Sequence, residues 1–140
     1  MKTGFLGLGA MGAPMARNLA KAGLLQGVWN RSHEKAQALA AELGCTAATD
    51  PAALAADCDA LVLCVSADRD VLDVLAAIES GLKPGTLVID CSTVSSSTAR
   101  AAAEKMALHG VRFLDCPVSG GVEGVYYTDQ YTKESIHLIL

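Results

Sequence analysis

The sequence predicts an α/β fold: a mainly parallel sheet in the middle of three layers, with helices on both faces. Three observations predict it. A glycine-rich turn, Gly7-Leu8-Gly9-Ala10-Met11-Gly12, joins an apolar run to a helical stretch near the start of the chain. Further short apolar runs follow at 27–29, 60–65, 86–90 and 111–114, separated by stretches of helical periodicity. Polar loops come after these runs, at the strand ends where open parallel sheets bind ligands.

Residues 2–7 are the first expected strand. Gly7 permits a tight turn off it, Gly9 lets backbone approach a pyrophosphate, and Gly12 lets helix and sheet pack closely. The helix that follows would aim its N-terminal amides and positive dipole end at the phosphates. Strand, glycine turn, helix and second strand in this order form the opening of a doubly wound, Rossmann-type dinucleotide-binding fold. Leu8, Ala10 and Met11 join the three glycines as expected cofactor contacts. Pro14 lies near the helix start, where its missing N–H costs least. Met15, Leu19 and Ala22 are expected to pack on the sheet, and Gly23 to close the helix.

The end of the second strand bears on the cofactor. An acid there bonds the ribose 2′-hydroxyl and favours NAD, whereas an arginine accommodates the 2′-phosphate of NADP. This chain has Asn30-Arg31-Ser32 and no acid until Glu34. NADP is therefore expected ahead of NAD, held by Asn30, Arg31 and Ser32. The plainer alternative makes Ser32 a helix cap and Arg31 a solvated charge, and the two readings are compatible.

A helix over 33–43 carries Ala36, Leu39, Ala40 and Leu43 on its apolar face and ends at Gly44. Residues 46–48 suggest a short third strand, and Asp50-Pro51 a capped helix start. The run 60–65 reads as a buried parallel strand, leading through Val65 and Ser66 into a loop expected to touch the cofactor. A helix over 68–80 should turn Val71, Leu72, Leu75 and Ile78 inward. A strand over 86–90 leads to Ser92 and Thr93, and an alanine-rich helix spans 95–109. The strand at 111–114 runs into Asp115-Cys116-Pro117-Val118-Ser119-Gly120-Gly121. The polar loops should converge on one crevice.

Composition narrows the partners. At 140 residues and 51% hydrophobic, with 19% charged, the chain is long and apolar enough for one folded domain. A net charge of −4 argues against nucleic acid as a partner. No apolar run approaches the roughly 20 residues that span a bilayer, and no signal peptide precedes the first strand. A cytoplasmic location without membrane attachment is expected. The five cysteines lack CxxC spacing, which suggests neither zinc nor a disulfide framework. His33 and His109 are expected to face solvent.

Taken together, these stretches resemble the β-hydroxyacid dehydrogenase family, which includes 3-hydroxyisobutyrate dehydrogenase and 6-phosphogluconate dehydrogenase. The matching segments are the glycine turn with Met15-Ala16-Arg17-Asn18-Leu19, then Asn30-Arg31-Ser32, Asp90-Cys91-Ser92-Thr93-Val94-Ser95, and Asp115 through Gly121. The resemblance implies that Ser92 and Thr93 lie against the nicotinamide side of the cofactor. It also implies that Ser119, Gly120 and Gly121 hold the substrate carboxylate or hydroxyl. Exposed glycine amides and a serine hydroxyl suit an anion. Ser96 stands where many relatives carry proline, which should loosen the helix start.

The resemblance covers residues 1–124, read as the NADP-binding domain. Family members continue into an all-helical domain whose lysine is the general acid/base. Nothing here matches that motif, Lys133 included, so no catalytic residue is assigned and the helical domain is expected to be absent. All three tyrosines follow Gly124, and alanine stops after Ala107. Residues 125–140 therefore read as an atypical tail from a shifted frame or a truncation, with 136–140 able to form an edge strand that contains His137.

Two function classes follow. The first is the NADP(H)-binding part of an oxidoreductase for a small β-hydroxy acid or semialdehyde, of the 3-hydroxyisobutyrate, tartronate semialdehyde or glyoxylate/succinic semialdehyde type. Such a chain alone would be inactive for want of the lysine. The second is a non-catalytic dinucleotide-binding module that acts through self-association or a partner, because the surface that docks the helical domain would be exposed. A homo-oligomer is expected.

Overall fold

A computed structural model describes residues 1–118. The apolar runs become the strands β1 (Thr3–Leu6), β2 (Leu25–Trp29), β3 (Thr46–Ala47), β4 (Ala60–Leu63), β5 (Leu87–Asp90) and β6 (Arg112–Asp115). Between them lie α1 (Gly12–Lys21), α2 (His33–Leu43), α3 (Pro51–Ala56), α4 (Asp68–Ile78) and α5 (Ser96–Ala107), with a 3-10 turn at Glu79–Gly81. All pairings are parallel and the order is β3-β2-β1-β4-β5-β6. The chain winds outward from β1 in one direction, then returns to β4 and winds outward in the other. The gap between β1 and β4 is the topological switch point, where such sheets take ligands.

Both faces of the central strands β1, β4 and β5 are covered, which explains why these strands are largely apolar rather than alternating. Phe5, Val62 and Ile89 face a core closed by Ala16 of α1 and by Ala36, Leu39 and Ala40 of α2. Leu6, Leu61, Leu63 and Val88 face the other core, closed by Leu54 of α3, Val71 and Leu75 of α4, and Met106 of α5. The expected three-layer, doubly wound architecture is the one observed.

Local signals act as their chemistry dictates. Asp50 accepts the Ala52 amide at 2.9 Å, with Pro51 opening α3. Gly44 ends α2 in the left-handed conformation, at φ +67°. Two helix faces differ from expectation. In α1 the buried residues are Gly12, Pro14 and Ala16; Met15 and Leu19 pack partly buried, but Ala22, at the C-cap, is exposed. In α4 the buried stripe is Val71, Val74, Leu75 and Ile78, the i, i+3, i+4, i+7 set, so Leu72 falls off it and is 39% exposed. His109 is also not free in solvent: its Nε2 lies 2.8 Å from Glu79 Oε1, and Lys105 Nζ is 3.1 Å from Oε2. The expectations for Ser119, Gly120, Gly121, Lys133, His137 and the 125–140 tail lie outside the described residues.

Candidate functional site

A crevice of about 340 Å³ opens at the carboxyl ends of the strands, over the switch point. Gly7, Leu8, Gly9 and Trp29 form its floor. Asn30, Arg31, Ser32 and Lys35 line the side of β2 and α2; Cys64, Val65, Ser66, Asp70, Asp73 and Val74 line the side of β4 and α4. Eight of the residues expected from sequence to contact the cofactor meet in this lining. Ala10, Met11 and Gly12 stand just behind it, in the turn that starts α1.

The glycine turn has distinct requirements at each glycine. Gly7 takes φ +95°, and a Cβ there would collide with the Cys64 carbonyl. A Cβ on Gly12 would collide with the Gly7 carbonyl oxygen. Gly9 is different: a Cβ there would meet nothing within 4 Å, and its φ is not positive. Neither packing nor backbone strain within the described residues requires glycine at position 9. An approaching ligand would. Among the described residues, the amides of Gly9, Ala10 and Met11 donate to no backbone or side-chain acceptor. Open space over Gly9 and unused amides at the positive end of α1 fit a pyrophosphate.

Asn30 does something its sequence position did not disclose. Its Oδ1 accepts the Leu8 amide at 2.8 Å, and its Nδ2 donates to the Ser32 carbonyl at 3.1 Å. The side chain therefore braces the glycine turn from the end of β2. Ser32 occupies the N-cap position of α2 but makes no capping hydrogen bond, contrary to the capping expectation. Its exposed hydroxyl stays available to the crevice. Arg31 is 87% exposed, with Nη1 3.5 Å from Asp70 Oδ1 across the crevice. Lys35, in the first turn of α2, adds a second cation to this lining. Its place in the lining follows from the approach of α2 to the crevice, which no local pattern in the sequence shows.

Ser92 and Thr93 take different places. Thr93 is exposed, and Ser92 is only 2% exposed. The Val65 amide donates to Ser92 Oγ at 3.0 Å, and the Ser92 amide donates to Asp90 Oδ1 at 2.9 Å. Neither residue belongs to the crevice lining described above; Ser92 instead fixes the loop that carries Val65 and Ser66. Asp90 is fully buried, and its Oδ2 has no partner among the described residues. Burial pushes its carboxyl above the usual range, the Ser92 bonds oppose that, and neighbouring Asp115 adds to it. Nearby, Asp68 Oδ2 accepts from Ser95 Oγ at 2.6 Å and Thr98 Oγ1 at 2.7 Å, which joins the starts of α4 and α5. These bonds hold its carboxyl below the usual range.

Cys64 and Cys91 are not activated nucleophiles. All five cysteines are free. Burial pushes Cys91 up to about 12 and also raises Cys64, the reverse of what a reactive thiolate needs. Among the described residues, no group of three or more His, Cys, Asp or Glu is placed to hold a metal ion. No helix of the described residues is long and apolar enough to cross a membrane.

Comparison with known proteins agrees with this geometry. Residues 2–129 match the NAD binding domain of 6-phosphogluconate dehydrogenase. An uncharacterized oxidoreductase of Synechocystis sp. is 39% identical over 127 residues, which cover 88% of this chain and 44% of that protein. The 3-hydroxyisobutyrate dehydrogenase of Mycobacterium tuberculosis, solved with L-serine, superposes with a TM-score of 0.81 at 34% identity, over 88% of this chain and 42% of that one. A reductive aminase of Aspergillus terreus, solved in complex with NADPH and ethyl levulinate, gives a TM-score of 0.77 at 28% identity, over 87% of this chain and 42% of that one. The chain thus spans less than half the length of these relatives. It belongs to the family of the NAD binding domain of 6-phosphogluconate dehydrogenase and is a dinucleotide-binding domain of the β-hydroxyacid dehydrogenase type.

Proposed function

We propose that this chain is the NADP(H)-binding part of an oxidoreductase that acts on a small β-hydroxy acid or semialdehyde. The observation that carries this reading is the pairing of Gly9, open to a ligand, with two cations on the β2–α2 side of the same crevice. The amides of residues 9–11 and the start of α1 would hold the pyrophosphate. Arg31, Ser32 and Lys35 would hold the 2′-phosphate, and Asn30 would brace the turn between them. Val65 and Ser66, fixed through Ser92, would border the nicotinamide half. When bound, the cofactor supplies the hydride.

The chain's own residues then bind, orient and exclude water. No described residue is assigned the proton transfer, and Ser119, Gly120 and Gly121 remain our candidates for the substrate carboxylate. We place the protein in the cytoplasm, in keeping with its free thiols. An assay of glyoxylate or succinic semialdehyde reduction with NADPH tests the reading. Turnover should be negligible for the chain alone and appear when the helical half of a relative is supplied. Turnover by the chain alone at a full enzymatic rate would overturn it.

A second reading, a non-catalytic module that self-associates, draws on β6. Among the described residues β6 is an edge strand, with Leu114 42% exposed. Light scattering at high concentration tests it: a dimer or larger supports the reading and a monomer removes it.

A further inference from the structure

The acid that β2 lacks is supplied from the opposite side of the crevice. Asp70 lies in the first turn of α4, where the helix dipole favours negative charge. Its Oδ1 is 3.5 Å from Arg31 Nη1, and its side chain is 28% exposed against 87% for Arg31. The other carboxylate of α4 in this lining, Asp73, has a cation on its own helix, Arg69 at 3.6 Å. Asp70 is thus the α4 acid turned toward the cation of the β2–α2 loop.

We infer that Asp70 is a specificity-determining residue for the dinucleotide, an inference that rests on the NADP(H) reading above. A ribose 2′-phosphate that reaches Arg31 meets a carboxylate already paired with it, so Asp70 competes with the phosphate and repels it. A ribose 2′-hydroxyl in the same place meets an acceptor, the role usually filled by an acid at the end of β2. Arg31 draws the chain toward NADP(H), and Asp70 tempers that preference and leaves a useful affinity for NAD(H). The pair is exposed, so the effect is modest. One exposed ion pair plus repulsion of a phosphate at similar range corresponds to about three- to tenfold in affinity.

The test is a titration of the 140-residue chain with NADPH and NADH at one fixed ionic strength, for wild type and Asp70→Asn. Asp70→Asn should bind NADPH about three- to tenfold more tightly and NADH no more tightly than wild type. In an Arg31→Ala background the same substitution should give a smaller gain in NADPH affinity, because the competition for Arg31 is gone and only the direct repulsion is left. An unchanged or lowered NADPH preference in Asp70→Asn overturns the inference, and so does a gain that is undiminished without Arg31. Wild-type protein that binds neither dinucleotide overturns the NADP(H) reading itself, an outcome separate from an unchanged ratio. Melting temperatures within about a degree of each other show that both variants are folded.

Discussion

The side-chain carbonyl of Asn30 accepts the Leu8 amide at 2.8 Å, which ties the end of β2 to the glycine turn that leaves β1. Through Nδ2 the same side chain holds the Ser32 carbonyl at 3.1 Å. One residue therefore sets the distance between the expected pyrophosphate amides and the expected 2′-phosphate cation. Asn30→Ala removes both bonds and leaves a half-buried amide without its acceptor. We expect a loss of about 1–3 kcal/mol in urea unfolding, together with about tenfold weaker NADPH binding. Wild-type stability in this variant would show that the bond braces nothing.

Gly9 and Gly12 should separate binding from folding. A Cβ at position 12 collides with backbone, and at position 9 it meets no protein atom within 4 Å. Gly12→Ala should therefore cost about 1–3 kcal/mol or more of stability by overpacking. Gly9→Ala should keep the wild-type melting temperature or raise it slightly, because alanine restricts the unfolded chain. Its NADPH affinity should nevertheless fall by at least about tenfold, since the methyl occupies the ligand's space. Full cofactor binding by Gly9→Ala would refute the role given to that glycine.

Asp90 makes the pH dependence of stability testable. Its carboxyl is raised in the folded chain, chiefly by burial, so the folded state holds the proton more tightly than the unfolded state. Its contribution is most favourable below the unfolded value of about 3.9, and is lost as pH rises through the raised folded value. Asp90→Asn keeps an acceptor for the Ser92 amide and has no proton to lose. The difference in melting temperature, variant minus wild type, should therefore become more positive from about pH 4 to about pH 7. A difference that is flat or falls over that interval would contradict the assignment.

Elements whose signals are local were legible in the sequence. The runs around Phe5, Val62 and Ile89 are strands because parallel strands buried on both faces must be continuously apolar. The glycine turn was legible because the steric demands at Gly7 and Gly12 belong to glycine alone. What was missed depends on partners distant in the chain. Asn30 bonds an amide 22 residues away, and Val65 and Ser92 are 27 apart, so neither contact leaves a local pattern. The resemblance implies a place for Ser92 beside the nicotinamide, and only the fold reveals that its buried hydroxyl accepts the Val65 amide. Leu72 was misplaced because the apolar residues of α4 cover more than one helical stripe, and only packing against the sheet selects Val74 rather than Leu72 to join Val71, Leu75 and Ile78. Asp70 gave no sign of its position, since only the sheet order brings α4 opposite the start of α2.

This crevice is expected to bind NADP(H) through the glycine turn and Arg31. The most direct measurement is a calorimetric titration of NADPH and NADH into wild type and Arg31→Ala. Wild type should prefer NADPH, and Arg31→Ala should lose at least about tenfold for NADPH while NADH changes by less than about twofold. A wild-type preference for NADH of tenfold or more, or NADPH affinity untouched by removal of Arg31, would contradict it.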